Sequence, residues 1–209
     1  MKNLKTQIIA VGTLCMMFTS SCTKEETGDP IDNTPDVLCD GSSSTSWYPL
    51  VTGNSWAYKA SNANGTDQTG TVTGNQDFGS ETYFEIKYVD EIGLDWYEYY
   101  REDASRNIYV YYEGQGEEII FAPANPVVGT VYAISDLSET FNYNNKVAGL
   151  NETTSTPSCT YSGCLHIQRV NHAGEVYKDF YIKKGLGIVK VSVHGFLFHD
   201  DELSTVTLN

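Results

Sequence analysis

Two histidines and a run of acidic residues near the C-terminus are the side chains best suited to holding a metal ion. His194 and His199 are followed directly by Asp200 and Asp201. Imidazole nitrogens and carboxylate oxygens together bind divalent cations, and the loop of residues 195–198 is long enough to turn His194 toward the acids. The spacing matches no established zinc motif, and a solvated acidic hairpin explains the same residues. A metal-dependent hydrolase is therefore one alternative function, while the preferred interpretation includes no cofactor.

Aromatic side chains are dense in two neighbouring stretches, residues 95–102 and 107–113. The residues considered as one binding surface are Trp96, Tyr97, Tyr99, Tyr109 and Tyr111. Flat rings with polar ends stack well on sugars and pack well against proteins, although tyrosine is also common in half-buried strands. The preferred hypothesis is a non-enzymatic domain that binds a glycan or a protein through these rings. A carrier that encloses an apolar ligand within a half-barrel is the second hypothesis.

Overall charge and the absence of certain motifs exclude several classes of function. The chain of 209 residues has a formal charge of -14 and a pI ≈ 4.5. An acidic surface repels phosphate backbones, so nucleic acid is excluded as a partner. The sequence has no Gly-x-Ser-x-Gly elbow, no P-loop and no dinucleotide-binding glycine pattern. Nucleophile-based hydrolysis and nucleotide chemistry therefore have no support, and any other enzymatic activity stays open.

Three cysteines, Cys39, Cys159 and Cys164, are available for a disulfide in an oxidising compartment. The short segment between Cys159 and Cys164 could reverse the chain, and closing that loop would contribute roughly 2 kcal/mol in the chain-entropy model. A bridge from Cys39 to Cys164 would close a far longer loop and contribute about 5 kcal/mol. The local pair is the preferred prediction, and three buried free thiols explain the sequence equally well.

The N-terminal residues are typical of a secretory signal peptide. A basic start precedes an apolar run over residues 8–18, which is shorter than the stretch of about 20 apolar residues that spans a bilayer. The small residues Ser20 and Ser21 precede Cys22, and this arrangement resembles the lipobox of bacterial lipoproteins. The resemblance implies cleavage before Cys22 and attachment of diacylglycerol and palmitate-type chains to it, which would hold the protein on the membrane.

The residues that follow Cys22 indicate a tether. Lys24, Glu25 and Glu26 resemble the export signal of surface lipoproteins of Bacteroidota, which implies display on the outer face of the outer membrane. The periplasmic face is the alternative location. The segment up to residue 46 is rich in Gly, Pro, Asp, Asn, Thr and Ser, a composition typical of a flexible stalk. The predicted organisation is a signal peptide over 1–21, an acylated stalk over 22–46 and a single domain over 47–209.

Both ends of this domain carry recognisable motifs. The opening motif consists of Tyr48, Pro49 and Leu50, then Gly53, Asn54, Trp56 and Tyr58; the closing motif consists of Tyr181, Gly185, Gly187, Ile188, Val189 and Lys190. Together they resemble a broad group of secreted and lipid-anchored bacterial proteins, many of unknown function. The opening aromatics are expected to plug one end of a β core rather than to bind a ligand.

Between the motifs, short segments of alternating polarity are separated by turn residues, which predicts an antiparallel meander. The predicted strands are 55–59, 68–73, 82–91, 95–102, 107–113, 117–121, 165–170, 176–182, 188–194 and 203–208, with weaker candidates at 130–134, 138–143 and 147–150. No apolar stripe with a 3.6-residue period follows the signal peptide, so the domain is expected to be all-β. A strongly curved sheet, an open barrel and a sandwich all fit this pattern.

Overall fold

The computed structural model describes Cys39 and residues 41–133, 144–171 and 173–209. Within these residues it contains twelve strands: β1 (Ser55–Ala60), β2 (Gln68–Phe78), β3 (Glu81–Asp90), β4 (Asp95–Glu102), β5 (Ile108–Tyr112), β6 (Glu117–Ala122), β7 (Val131–Tyr132), β8 (Asn144–Ser155), β9 (Thr160–Val170), β10 (Val176–Lys183), β11 (Gly187–Val193) and β12 (His199–Thr207). Among the described residues, no helix is long and apolar enough to cross a membrane. Lipidation at Cys22, the export signal of Lys24, Glu25 and Glu26, and the candidate strand at 138–143 lie outside them.

All twelve strands belong to one antiparallel sheet that curves into a nearly closed barrel. The strand order is β6-β5-β4-β3-β2-β1-β12-β11-β10-β9-β8-β7, so β1 pairs with both its sequence neighbour β2 and the last strand β12. The barrel stays unsealed between β6 and β7. Across this opening, Asn145 Nδ2 donates a hydrogen bond of 3.1 Å to the carbonyl oxygen of Ile120. The all-β prediction is confirmed, and the open barrel is the form that the sheet takes.

Two stretches depart from the strand predictions for identifiable reasons. The predicted strand 68–73 continues through Gly74 and Asn75 to Phe78, because a bulge between Val72 and Gly74 absorbs the glycine without ending the strand. The weaker candidate 147–150 extends to Ser155 as part of β8, whose pairing with β9 is interrupted by several register shifts. A polar segment with irregular pairing lacks the strict alternation that identifies a strand in sequence.

A row of aromatic rings fills the part of the barrel nearest to the N-terminal segment. Ring centroids are 4.8 Å apart between Tyr48 and Trp56 and 5.2 Å apart between Tyr48 and Tyr100. Phe121 extends the row, lying 5.5 Å from Tyr100. Tyr48, Trp56 and Phe121 are fully buried. The prediction that the opening aromatics plug one end of the core is confirmed.

The opening and closing motifs pack directly on each other in this region. Trp56 Nε1 donates a 2.6 Å hydrogen bond to the carbonyl oxygen of Leu186, between the two closing glycines. Gly187 has a φ of +99°, and a Cβ there would lie 2.7 Å from Cδ2 of Tyr48. A glycine is therefore required both by the backbone conformation and by the approach of the tyrosine ring.

Residues 42–46, at the end of the predicted stalk, form hydrogen bonds with the folded domain. The amide of Gly185 donates a 2.8 Å hydrogen bond to the carbonyl of Ser46, and the amide of Ser42 donates one of 3.1 Å to the carbonyl of Gly185. Ser46 is buried. Short polar residues form these contacts through the backbone and through local turns, so composition alone does not reveal them.

Cys39 and Cys159 form a disulfide with their Cα atoms 5.5 Å apart, and Cys164 is a buried free thiol. The predicted bridge between Cys159 and Cys164 does not form, because β9 begins at Thr160 and extends through Cys164. At about 3.3 Å of rise per residue, this extended segment separates the two cysteines by more than a disulfide can span. Burial raises the pKa of the Cys164 thiol to about 11, which keeps it protonated.

Candidate ligand-binding cavity

The barrel contains a cavity of about 590 Å³ at the end opposite the N-terminal segment. We call this end the mouth end. The hairpin turns β1–β2, β3–β4 and β11–β12 lie there. The pairing of Gln68 with Asp90 and of Val193 with His199 places the ends of these strands together. Inward-facing residues of β1, β3, β4 and β10 to β12 line the cavity. The antiparallel connections place the cavity and the aromatic plug at opposite ends of the same interior.

One wall of the cavity is a pair of stacked aromatic rings. Tyr88 of β3 and Trp96 of β4 are cross-strand neighbours, with ring centroids 5.3 Å apart and planes inclined by 7°. Gly70 of β2 lies beneath this wall, and a Cβ on it would approach Cε1 of Tyr88 to 2.6 Å. The absence of a side chain at Gly70 therefore allows the tyrosine ring to lie against the sheet.

The opposite wall is aliphatic and aromatic, and it continues into an exposed loop. Phe180, Ile188, Val191 and Val193 point inward from β10 and β11. The β11–β12 loop exposes three consecutive large apolar side chains: Phe196 is 99% exposed, Leu197 57% and Phe198 50%. Phe196 and Leu197 also line the cavity. Contiguous exposed apolar groups at the entrance of a cavity are typical of a ligand or membrane contact site.

Three charged side chains line this largely apolar cavity, and Arg169, the cross-strand neighbour of Lys178, lies beside them over the ring of Phe180. Glu98 accepts a 2.7 Å hydrogen bond from the hydroxyl of Tyr100, and Asp201 Oδ1 lies 3.6 Å from Nε2 of His199. Burial raises the pKa of the Asp201 carboxyl. Burial also lowers the pKa of the Lys178 ammonium, and the nearby Arg169 lowers it further. Charges that are removed from water in this way are candidates for contact with a ligand.

The histidines that were considered as metal ligands have other roles. Nε2 of His194 contacts Oδ2 of Asp179, and Nε2 of His166 lies 2.6 Å from the other carboxylate oxygen, so Asp179 joins both imidazoles on the outer face. Burial alone would raise the pKa of Asp179, but hydrogen bonds from these histidines and Gln168 hold it below its usual value.

His199 instead faces Asp201 inside the barrel, while the carboxylate of Asp200 forms a 2.7 Å ion pair with Lys190. The four predicted ligands thus have separate partners: His194 contacts Asp179, Asp200 pairs with Lys190, and His199 faces Asp201. In the described part of the chain, no group of three or more His, Cys, Asp or Glu side chains is arranged to hold a metal ion.

The residues considered as one aromatic surface are likewise divided by the sheet. Trp96 faces the cavity, whereas its neighbour Tyr97 and the cross-strand pair Tyr99 and Tyr111 lie on the outer face. There Phe78 stacks on Tyr111 with ring centroids 4.0 Å apart. The outer rings therefore cover one another in part, and Tyr97, at 45% exposure, is the most accessible of the five predicted residues.

An ion pair covers the far side of this outer cluster. The guanidinium of Arg101 contacts both carboxylate oxygens of Glu118 and lies 4.1 Å from the ring centroid of Tyr109. Tyr83 donates a 2.5 Å hydrogen bond to the same carboxylate. Burial and this hydrogen bond raise the pKa of Tyr83 to about 12. These interactions hold the cluster in one arrangement on the outside of β3 to β6.

The carrier hypothesis includes an interior cavity, but the residues that line it were not identified from the sequence, because its walls come from strands far apart in the chain. The alternation within β10 does contain a signal, since Lys178, Phe180 and Ile182 share one face. A lysine on an otherwise apolar face is unusual. Which strands face Lys178 across the interior is decided by how the barrel closes, and local sequence patterns do not specify that closure.

No protein-family model and no curated protein matches the sequence. Two solved structures are similar to the chain. One, named a "putative exported protein with YmcC-like fold", comes from Bacteroides fragilis; the TM-score is 0.47 at 11% identity, covering 77% of this chain and 98% of the other. The second, a "putative lipoprotein" from Parabacteroides distasonis, gives a TM-score of 0.47 at 13% identity, covering 79% of this chain and 100% of the other.

Proposed function

We propose that this domain is a binding protein that holds a small amphipathic ligand in the mouth end of its open barrel. The observation that carries the proposal is the interior cavity of about 590 Å³. Ligand pockets in proteins typically measure about 300–1,000 Å³ and combine apolar walls with a few polar groups. The stacked rings of Tyr88 and Trp96 on one side and Phe180 and Val191 on the other fit the body of such a ligand.

The exposed β11–β12 loop supports the same proposal. Side chains such as Phe196, which is 99% exposed, lie beside the entrance. An apolar molecule that leaves a membrane or another protein would contact these side chains before it reaches the interior, which shortens its path through water. The role is therefore that of a carrier or receptor, and the proposal requires no catalytic group.

We further propose that the domain acts outside the cytoplasm, attached to the outer membrane through acyl chains on Cys22 and displayed on the cell surface. The disulfide between Cys39 and Cys159 supports an oxidising compartment, since such bonds are rare in the cytosol. The mouth end lies away from Cys39, where the tether enters the domain. Labelling of the expressed protein with palmitate, and its loss in Cys22→Ala, tests the attachment.

Ligand binding is tested by titration with N-phenyl-1-naphthylamine, an uncharged apolar dye whose fluorescence rises in apolar surroundings. The wild-type domain should bind it saturably. Val191→Trp should abolish binding, because residue 191 faces the cavity, whereas the neighbouring Ser192→Trp places the same bulk on the outer face. Thermal unfolding of both variants identifies any loss of folding. A folded Val191→Trp that binds the dye like wild type would refute the proposal.

A second candidate function is glycan or protein binding through the outer aromatic cluster. The exposure of Tyr97, beside Tyr99 and Tyr111, is the observation that favours it. A glycan array probed with the domain beginning before Cys39 tests this candidate. Binding that disappears when Tyr99→Ala and Tyr111→Ala are combined would support it, and an array without binding would exclude glycans.

A further inference from the structure

Lys178 is the lysine that lines the cavity in the described part of the chain, and Arg169 is its cross-strand neighbour. Lys178 points inward from β10, next to Val193 at the mouth end of β11. Its Nζ lies 5.7 Å from the ring centroid of Tyr177. Among the residues that the structure describes, Lys178 Nζ has no ion pair and no hydrogen bond, and the carboxylates of Glu98 and Asp201 raise its pKa only through longer-range attraction.

Three lysines on the outer face have partners among the described residues. Lys87 pairs with Asp95 at 2.8 Å, Lys190 pairs with Asp200 at 2.7 Å, and Lys183 donates a 2.6 Å hydrogen bond to the carbonyl oxygen of Ser162. Lys183 is on the same strand as Lys178 but faces outward. The contrast within one strand shows that β10 directs one ammonium into the cavity without a protein partner and another to a backbone acceptor.

We infer that the ligand of the cavity carries an anionic group, such as a carboxylate, that pairs with Lys178 near the mouth while its apolar body extends toward Ile188. The inference rests on the proposed function and specifies the class of ligand. Lys178 is half-buried. An ammonium that is partly removed from water without a partner is unfavourable, and donating a charge-assisted hydrogen bond to a ligand anion offsets that cost. The lowered pKa of Lys178, caused chiefly by burial, agrees with an ammonium that lacks such a partner.

The two carboxylates in the cavity restrict where the anion can bind. Glu98 and Asp201 are engaged with Tyr100 and His199 respectively, and neither forms an ion pair with Lys178. Both would repel an anion placed deeper in the barrel, whereas Arg169, the cross-strand neighbour of Lys178, adds positive charge beside the ammonium. The ligand is therefore expected to hold a single acidic group at the mouth and an uncharged body inside, which is the chemistry of a long-chain carboxylic acid.

The test compares three ligands with the same twelve-carbon chain: dodecanoate, dodecanol and dodecyltrimethylammonium. Dissociation constants are measured by titration calorimetry at pH 8 on wild type, Lys178→Met and Lys183→Met. Wild type and Lys183→Met should bind dodecanoate at least about tenfold more tightly than dodecanol. Lys178→Met should reduce dodecanoate affinity to that of dodecanol. The chain has a formal charge of -14, so its overall field attracts the ammonium compound and repels dodecanoate. A preference for dodecanoate therefore requires a local cation in the cavity.

The outcomes separate this inference from the function on which it rests. If all three compounds bind without a preference for the acid, or if the preference persists in Lys178→Met, the inference is overturned while the cavity remains a ligand site. If neither these compounds nor N-phenyl-1-naphthylamine binds, the proposed function and the inference both fail. Loss of dodecanoate affinity in Lys183→Met as large as in Lys178→Met would also overturn the inference, because that residue lies outside the cavity.

Discussion

Trp96 lies flat against Tyr88, and the stacked pair forms one wall of the interior cavity. The two residues are direct cross-strand neighbours on β3 and β4. Trp96 keeps 38% of its surface exposed, although it faces the interior, because the cavity is open to solvent at this end. This tryptophan is therefore positioned to report the presence of a ligand.

The first prediction is that ligand binding changes the emission of Trp96 alone. The chain has three tryptophans. Trp56 is fully buried. Trp47 lies at the end of the barrel opposite the mouth end, where its Nε1 donates a hydrogen bond to the carbonyl oxygen of Pro123. Saturating dodecanol should shift or quench emission in wild type and in Trp47→Phe, but not in Trp96→Phe. An unchanged ligand response in Trp96→Phe would contradict the assigned location.

The second prediction concerns the disulfide between Cys39 and Cys159. The double variant Cys39→Ser with Cys159→Ser should lower the free energy of unfolding by roughly 2–5 kcal/mol, because the bridge closes a long loop in the unfolded chain. Urea denaturation with and without reductant measures this difference, and the reductant should affect wild type only. Peptide mapping without reduction should recover the pair 39 with 159; recovery of 159 with 164 would contradict the structure.

The third prediction compares two glycines that both have positive φ. Gly187, with φ +99°, has Tyr48 where a Cβ would stand, whereas Gly79, with φ +63°, has nothing within 4 Å of that position. Gly187→Ala should lower the free energy of unfolding by roughly 2–5 kcal/mol, because backbone strain and overpacking both act there. Gly79→Ala should lower the free energy of unfolding by only about 1–2 kcal/mol, because backbone strain acts alone. Equal losses in urea denaturation would show that the motifs at the two ends do not pack as described.

The fourth prediction is a pH dependence that originates at Asp179. Its pKa is held below the usual value, so its stabilising contribution is complete above the unfolded-state pKa of about 3.9 and is lost as the pH falls through the folded-state pKa. Asp179→Asn should lower the free energy of unfolding by roughly 1–3 kcal/mol at pH 6.

This difference from wild type should shrink steadily below about pH 4, where the wild-type carboxyl becomes protonated. Urea denaturation across the pH range gives the two curves. Asp77→Asn, at an exposed position that accepts a hydrogen bond from Thr82, is the matched control. A difference that stays constant down to pH 2 would contradict the lowered pKa.

Local patterns were sufficient to predict the all-β class and most strands. β4 has the predicted bounds, because its alternating side chains and flanking turn residues are both clear in the sequence. The predicted end of the second strand at residue 73 was wrong, since a glycine in a strand can mark a bulge as well as a turn. The pairing of β1 with β12, which joins Ser55 to Thr207, was beyond local patterns because it depends on closure of the whole sheet.

The site was predicted less well than the fold for the same reason. The sequence interpretation grouped Trp96 with Tyr97 and Tyr99, but strict alternation places Trp96 on the other face. His194 and His199 were grouped because they are close in sequence, yet their imidazoles contact different carboxylates, those of Asp179 and Asp201. In an antiparallel barrel, two residues share a site when their side chains point to the same face of the sheet and the strand register places them side by side. Proximity along the chain indicates neither.

The most direct test of the central claim is photolabelling with a long-chain alcohol that carries a diazirine in its chain. After irradiation of the folded domain, mass spectrometry of its peptides locates the labelled residues. The account predicts adducts on cavity-lining residues such as Trp96, Phe180 and Val191, suppressed by excess dodecanol. Labelling confined to outer residues such as Tyr97 and Tyr111, or labelling that excess dodecanol does not reduce, would contradict it.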